Sequence, residues 1–543
     1  MAIKPARHSL AQARPGRHYV PSCAGPCAAP PPRHGPPAVG PCRAGPKARA
    51  IRGGFSKHQE GIGKRFKTKA QKQGEEIENL KKAIIDTQKA AADTQNLIRE
   101  MIAFEQTQLA ESCRLKHRES RMCIVVTKSP PEIVRPSEPV TTTAATGKII
   151  FSPFDKPLAT VPVVVLQVFE HPIHEPVETI RRGLSHALVH YYPLAGRLAG
   201  DDYDDVHIDC TGEGVTIVAA SANCTVKQLM RDIDGRLPDP STAVQRELIV
   251  DDNPAYGFGR ADPLILMQVT TFTCGGFVIG VTWNHGAADG FGIAQFLQAV
   301  GELARGLPTT SVIPVRSDKS LQAMSSSTVM AAKQFMFGVK PTTLALHSIT
   351  IPARVINGVR GPTPTCTVFE AVAAVMWRCR TRVVMSDPDA PTVLAITVNS
   401  RKYVGVKDGY YGNCATMQMA VARSGVVADG DMMEVVRTIR RAKEEIPERL
   451  KKGDAIAELS KGQLSGYESV LLVTCWRNIG FEAVDFGGGR TARVMTTYEQ
   501  SGVRPLCVVC LPWQGEEDEG ARVLSGCVTP HHADAFLREI ATL

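Results

Sequence analysis

The sequence predicts a mixed α/β protein preceded by a basic extension of different character. Three observations carry this. From Met122 onward, short β-branched apolar runs alternate with stretches whose apolar residues recur at helical spacing, without strict βαβ repetition. At 543 residues the chain is too long for one average domain and long enough to bury large cores. Its net charge of +9 is unevenly divided: residues 1–121 hold 23 Lys and Arg against 10 Asp and Glu, and the rest holds 40 against 44. The body is therefore slightly acidic and suggests no nucleic-acid surface.

The extension has two parts. Residues 1–55 are expected to be disordered, because positions 1–50 contain 11 prolines and no acidic residue and cannot bury enough apolar surface to offset chain entropy. An Arg-rich, acid-free start also fits a transit peptide, although Ser9 and Ser22 are its only serines. Residues 56–121 read as helical, with Ile77, Leu80, Ile84, Ala91, Ile98 and Met101 approximating a stripe. Thr87 and Thr94 interrupt that seam, which argues against a strong coiled coil. The segment is a solvated helix, a partner-binding helix or an addition outside the working protein.

In the body, residues 161–169 form an apolar β-branched run, and residues 177–191 place Ile180, Leu184, Ala187, Leu188 and Tyr191 at helical spacing. Strands are expected at 123–127, 206–209, 264–269 and 276–283, the last two joined through Cys274-Gly-Gly276. A helix over 291–303 follows, with Ile293, Phe296, Leu297, Val300 and Leu303 on one face. Residues 305–350, with Pro308, Pro314, Pro341 and a Ser-rich tract, read as a linker. Beyond it, Thr367 is positioned to cap a helix with Glu370 completing a capping box. Further strands are expected at 393–398, 415–421, 471–474, 492–496 and 506–510, and helices at 432–450 and 533–543. The domains predicted are thus 122–304 and 351–543, joined by 305–350.

No apolar run reaches the ~18 residues a membrane helix needs. The 15 cysteines are scattered, many within strand-like runs, as expected of reduced thiols in a cytoplasmic protein. Cys507 and Cys510 can be read as a metal or redox pair, but no second ligand pair accompanies them. His531-His532 reads as an exposed pair.

One string carries chemistry: His285-Gly-Ala-Ala-Asp289-Gly290, directly after an apolar strand. An imidazole exchanges protons near neutral pH, and small neighbours leave it open to substrate. Asp289 either orients that ring or ties down the loop through an Arg. A second string, Asp485-Phe-Gly-Gly-Gly489-Arg490, is a Gly-rich turn. No metal site is predicted, since a third ligand is not spaced nearby. Neither a G-x-S-x-G nucleophile turn nor a phosphate-binding P-loop occurs in the chain.

Taken together, residues 122–543 resemble the plant BAHD acyltransferases. His285-Gly-Ala-Ala-Asp289-Gly290 matches their H-x-x-x-D-G motif and Asp485-Phe-Gly487 the start of their D-F-G-W-G motif. Tyr191-Tyr-Pro-Leu-Ala-Gly-Arg197, Asn399-Ser-Arg401 and Gly409-Tyr-Tyr-Gly-Asn413 match in order and spacing. The resemblance implies two similar-sized mixed-sheet domains joined by a crossover loop, with a channel between them. It implies a monomeric enzyme of plant specialised metabolism that binds no cofactor and uses acyl-CoA as co-substrate with a small-molecule acceptor. The acyl group expected is benzoyl or hydroxycinnamoyl and the acceptor an alcohol; an amine acceptor, or a silent binding protein working through the extension, is the alternative. His285, Asp289 and Asp485 are the candidate catalytic residues. Gly290, Arg401, Phe486 and Gly487 are expected to support the site, with Arg401 the partner of Asp289. Tyr411 and Trp476 are candidate pocket walls. The chain departs from the family string at Gly488, where the family has Trp.

Overall fold

Apolar runs of the body become the inner strands of two mixed sheets. In the computed structural model, residues 81, 124–139, 147–200, 205–235, 244–250, 257–323, 342–361, 366–448, 467–497, 505–513 and 520–543 are described. The chain divides into two units, Met1–Arg118 and Glu119–Leu543. The disordered and helical expectations for residues 1–121 fall outside the described residues, apart from Lys81.

Among the described residues the first sheet has seven strands. These are β1 (Val126–Lys128), β2 (Glu132–Val134), β4 (Pro162–Phe169), β7 (Val215–Ala222), β8 (Ile265–Phe272), β9 (Phe277–Asn284) and β14 (Arg493–Met495), in the order β1-β7-β8-β9-β4-β14 with β2 also on β7. A small sheet, in the order β3-β6-β5, joins β3 (Lys148–Ile150), β5 (Arg197–Ala199) and β6 (His207–Asp209). The second large sheet runs β10-β16-β15-β13-β11-β12. Its strands are β10 (Ala345–Ile351), β11 (Pro391–Asn399), β12 (Ala415–Arg423), β13 (Val470–Cys475), β15 (Leu506–Cys510) and β16 (Ala521–Val528). The pairs β7–β8, β11–β13 and β13–β15 are parallel and the others antiparallel, so both large sheets are mixed.

Helices cover these sheets. Helix α1 (Pro176–His190) buries Ile180, Leu184, Ala187 and Leu188, the stripe read from the sequence. It lies close to α3 (Gly290–Ala304): a Cβ at Gly183 would stand 2.5 Å from the Val300 carbonyl oxygen, so glycine permits the approach. Helix α2 (Val226–Gly235) is amphipathic and follows β7. In the second lobe, α4 (Val368–Val384) starts at a complete capping box, Thr367 with Glu370. The same Glu370 carboxylate takes the Lys443 ammonium at 2.6 Å from α5 (Met432–Glu444), which welds the two helices. Helix α6 (Pro530–Ala541) closes the chain.

Three boundaries differ from the sequence reading. The stretch 305–350 is not a featureless linker: Val315 bridges to Tyr410, residues 319–323 form a 3-10 turn, and its last residues enter β10. The span 351–543 is not one lobe either. After β13 the chain leaves the second sheet, and β14 pairs with β4 in the first. Trp476, Phe481, Val484, Phe486 and Met495 join the core of the first lobe, Phe486 against Phe169 and Phe277 and Trp476 against Trp283. The helix expected over 432–450 is interrupted at Glu445, with residues 446–448 helical again.

Cys507 packs in the core of the second lobe and Cys510 in that of the first, as residues three apart on a strand must face opposite ways. They form no convergent pair. His531 is exposed as expected, whereas His532 is part-buried and stacks on Tyr467.

The second sheet buries an imidazole whose two nitrogens have no hydrogen-bond partner among the described residues, that of His347. Burial pulls its pKa below the ordinary histidine value, against an upward pull from Asp534. The unfolded chain then binds more protons than the folded one below about pH 6.5, so stability must fall as pH drops through that window. We predict that urea unfolding between pH 7 and 5.5 shows this loss, and that His347→Leu gives a shallower slope. An unchanged slope in the variant counts against this account.

Candidate functional site

Strand β9 is buried along its whole length and delivers its last residues into a tight loop. There the Asn284 side chain accepts from the Gly286 N–H at 2.9 Å, and the Trp283 indole donates to the Ala288 carbonyl at 2.9 Å. The backbone of His285 is held by Val161 of the neighbouring segment. A side chain at Gly286 would press on Ala159 at 2.6 Å, so this loop can pass only with glycine there. These constraints leave the imidazole of His285 part-buried beside the aromatic pair Trp283 and Trp476.

Nδ1 of His285 lies 2.9 Å from Asn413 Oδ1. The Asn413 amide nitrogen faces acceptors only: Asp155 Oδ1 at 2.9 Å, the His285 carbonyl at 2.7 Å and the Gly286 carbonyl at 3.4 Å. Its oxygen must therefore be the atom turned to the ring, and Nδ1 must carry the hydrogen. No described residue hydrogen-bonds to Nε2, which keeps a lone pair for a substrate. Burial pulls the His285 pKa below its ordinary range; Asp289, Asn413 and Asp155 oppose that pull.

Asp289 does not touch this ring. Its carboxylate forms a two-pronged pair with Arg401, at 2.9 and 2.8 Å. It also caps α3 by accepting from Gly292 N at 3.0 Å and takes Cys414 N at 3.1 Å. With both oxygens occupied, Asp289 is a loop anchor rather than a proton carrier. Arg401 further donates to the carbonyls of Tyr410 and Gly412, which gathers the 409–413 turn around the site. Gly290, the first residue of α3, lies near Ile479.

Asp485 is at the opposite end of α3. Arg305, just past the last turn of that helix, donates to the Asp485 carbonyl. The Asp485 backbone lies against Gly301, and the helix from Asp289 to Gly301 spans about 18 Å at 1.5 Å per residue. The Asp485 carboxylate accepts from Gly487 N at 2.7 Å and Gly489 N at 3.1 Å and so shapes its own turn. Among the described residues Asp485 shares no hydrogen-bond partner with His285. Phe486 packs edge-on against Phe169 at 5.3 Å. Gly487 and Gly489 have φ of 110° and 104°, conformations that favour glycine. Tyr411 is core rather than an open wall, fully buried 4.9 Å from Tyr191, with its carbonyl against Gly292.

Comparison with known proteins agrees with this architecture. The family model described as Transferase family matches residues 124–357 and 353–536. The chain belongs to that family, the BAHD acyltransferases. Acyl transferase 15 of Oryza sativa subsp. japonica is 54% identical over 437 residues, 78% of this chain and 99% of the relative. Myricetin 3-O-glucosyl 1,2-rhamnoside 6'-O-caffeoyltransferase AT2 of Crocosmia x crocosmiiflora is 31% identical, over 77% of this chain and 99% of its own. Among solved structures, vinorine synthase shares the fold with a TM-score of 0.59 at 19% identity, covering 77% of this chain and 98% of that one. F. graminearum TRI101 complexed with ethyl coenzyme A does so with a TM-score of 0.55 at 16% identity, covering 71% and 96%.

Within this BAHD chain, three site residues escaped the sequence reading as individuals: Asn413, Asp155 and Arg316. Asn413 ends a quoted motif, but nothing local says that its amide reaches back to residue 285. Arg316 lies in the segment read as linker, and Asp155 in a turn where Ser152 donates to its carboxylate. The departure at Gly488 also gains a physical account. A Cβ there would stand 2.8 Å from Ile173 Cγ2 and 3.1 Å from the His171 carbonyl oxygen, so the loop at 171–173 lies against the bare backbone.

Two predictions follow from this packing. Arg401→Met leaves the Asp289 carboxylate unpaired and largely buried; a loss of about 3–5 kcal/mol in urea unfolding is expected. Gly488→Trp, which restores the family residue, is expected to cost roughly 1–3 kcal/mol by overpacking. A gain in stability would contradict the tight approach described here.

Proposed function

We propose that this BAHD acyltransferase transfers an acyl group from acyl-CoA to an alcohol with His285 as general base. The observation that carries the reading is the imidazole held through Nδ1 by Asn413, with Nε2 left without a described protein partner. Nε2 accepts the hydroxyl proton as the acceptor oxygen attacks the thioester carbonyl. The tetrahedral adduct collapses, the C–S bond breaks and the imidazolium returns its proton to the CoA sulfur. No covalent acyl-enzyme forms. General-base assistance of this kind contributes about 10²–10⁴ in rate, and alignment of two substrates in one site adds to it. The CoA-bound structural neighbour supports acyl-CoA as donor. The caffeoyltransferase relative supports a hydroxycinnamoyl or related aromatic acyl group.

Burial favours the neutral imidazole, which is the form a base requires. Activity should therefore persist below the ordinary histidine pKa of about 6.5 and fall only as pH drops through the depressed value. His285→Ala is expected to lose about 10²-fold or more in CoA release while its circular dichroism spectrum and unfolding midpoint stay near the parent's. Full turnover in that variant refutes the base. A panel of CoA esters against alcohols and amines tests the chemistry, with ester products expected; product with amines alone overturns the alcohol assignment.

A further inference from the structure

Three stretches of chain, distant in sequence, meet at one fully buried carboxylate, that of Asp155. Its Oδ2 accepts from Ser152 N at 2.9 Å, Ser152 Oγ at 2.7 Å and Arg316 Nη1 at 3.2 Å. Its Oδ1 accepts from the backbone and side-chain nitrogens of Asn413 at 3.0 and 2.9 Å and lies 3.2 Å from Arg316 Nη2. Arg316 also donates to the catalytic loop, Nε to the Ala287 carbonyl and Nη2 to that of Gly286, each at 3.0 Å. A buried ion pair is costly unless its hydrogen bonds are nearly all made, and here they are.

We infer that the Asp155–Arg316 pair is a positioning device: acting through Asn413, it decides which ring nitrogen of His285 carries the proton and so which one can serve as base. The inference rests on the reading of His285 as base. An ionised carboxylate only accepts, so it admits one orientation of the Asn413 amide, nitrogen toward Asp155 and oxygen toward Nδ1. With an amide at position 155 the side chain there accepts either end of Asn413, and only the His285 and Gly286 carbonyls, at 2.7 and 3.4 Å from the amide nitrogen, still oppose its rotation. Rotation of Asn413 by 180° then presents its N–H to Nδ1, which must accept, and the ring proton moves to Nε2. The base is lost without any change in the position of the ring.

The arrangement also explains why the carboxylate stands one residue away from the ring. A carboxylate directly on Nδ1 orients an imidazole but favours its protonated form. Here Arg316 balances Asp155 and Arg401 balances Asp289, and these four are the charged groups around the loop. Asn413 passes on direction without passing on net charge.

The test uses the full chain. In 15N-histidine-labelled protein, with His285→Ala for assignment, the His285 signals should report a hydrogen on Nδ1. Asp155→Asn should lower kcat by about 10²-fold with KM little changed, and move the ring toward the Nε2–H form. The exchange variant Asp155→Asn with Asn413→Asp returns an acceptor-only group to Nδ1 and keeps one carboxylate in the cluster. It should recover at least about tenfold in kcat over Asp155→Asn, with its acid limb at higher pH because the carboxylate now meets the ring directly. A merely structural role for Asp155 is not rescued by that exchange. An Nε2–H ring in the unmodified protein, or an exchange variant no faster than Asp155→Asn, overturns the inference. The tautomer of the unmodified protein decides the matter even where Asp155→Asn fails to fold. Full turnover in His285→Ala sinks the functional reading itself, whereas an inactive His285→Ala with an Nε2–H parent sinks only this inference.

Discussion

The two-pronged pair between Asp289 and Arg401 is the constraint on which the rest of the site depends. Asp289 begins the helix that follows the His285 loop, and Arg401 follows β11 of the other sheet. Through one carboxylate the pair fixes the start of α3, the Cys414 amide and the 409–413 turn. Without that turn Asn413 does not reach His285, and the imidazole has no fixed tautomer. An aspartate four residues from a histidine thus works by holding the backbone that carries the histidine's true partner.

The same logic explains the distance between the two family strings. Both lie along α3, one at its start beside the His285 loop and one beside Gly301 and Arg305, so the helix acts as a strut between the two strings. The Gly-rich turn at 485–489 is organised by its own aspartate and packed by Phe486 on the first lobe. With Gly488 in place of Trp, that packing is supplied by the loop at 171–173.

Much of this was legible in the sequence where local physics decides. The stripe of α1, the capping box at Thr367 and the largely apolar, fully buried β9 all appear as expected, because periodicity, caps and burial on both faces leave local marks. Strand β7 and strand β16 went unread: Ala219, Ala220 and Ser221 in one, Ser525 and Gly526 in the other, blur the pattern. The pairing of His285 with Asn413, and of Asp155 with Arg316, was not legible at all. Such contacts span 128 and 161 residues, and only the assembled fold makes them neighbours. Asp289 with Arg401 was readable through family likeness alone.

The return of β14 to the first sheet has a consequence for how the protein is made. Strand β4 is complete by residue 169, yet the strand that covers its open edge emerges from the ribosome more than 300 residues later. Through most of synthesis the first sheet must carry an unpaired, apolar edge strand, the kind of surface that templates aggregation. Contacts of such long range also slow folding, since loop-closure entropy must be met before they form. The first sheet therefore cannot be completed as an independent unit until most of the chain has been made.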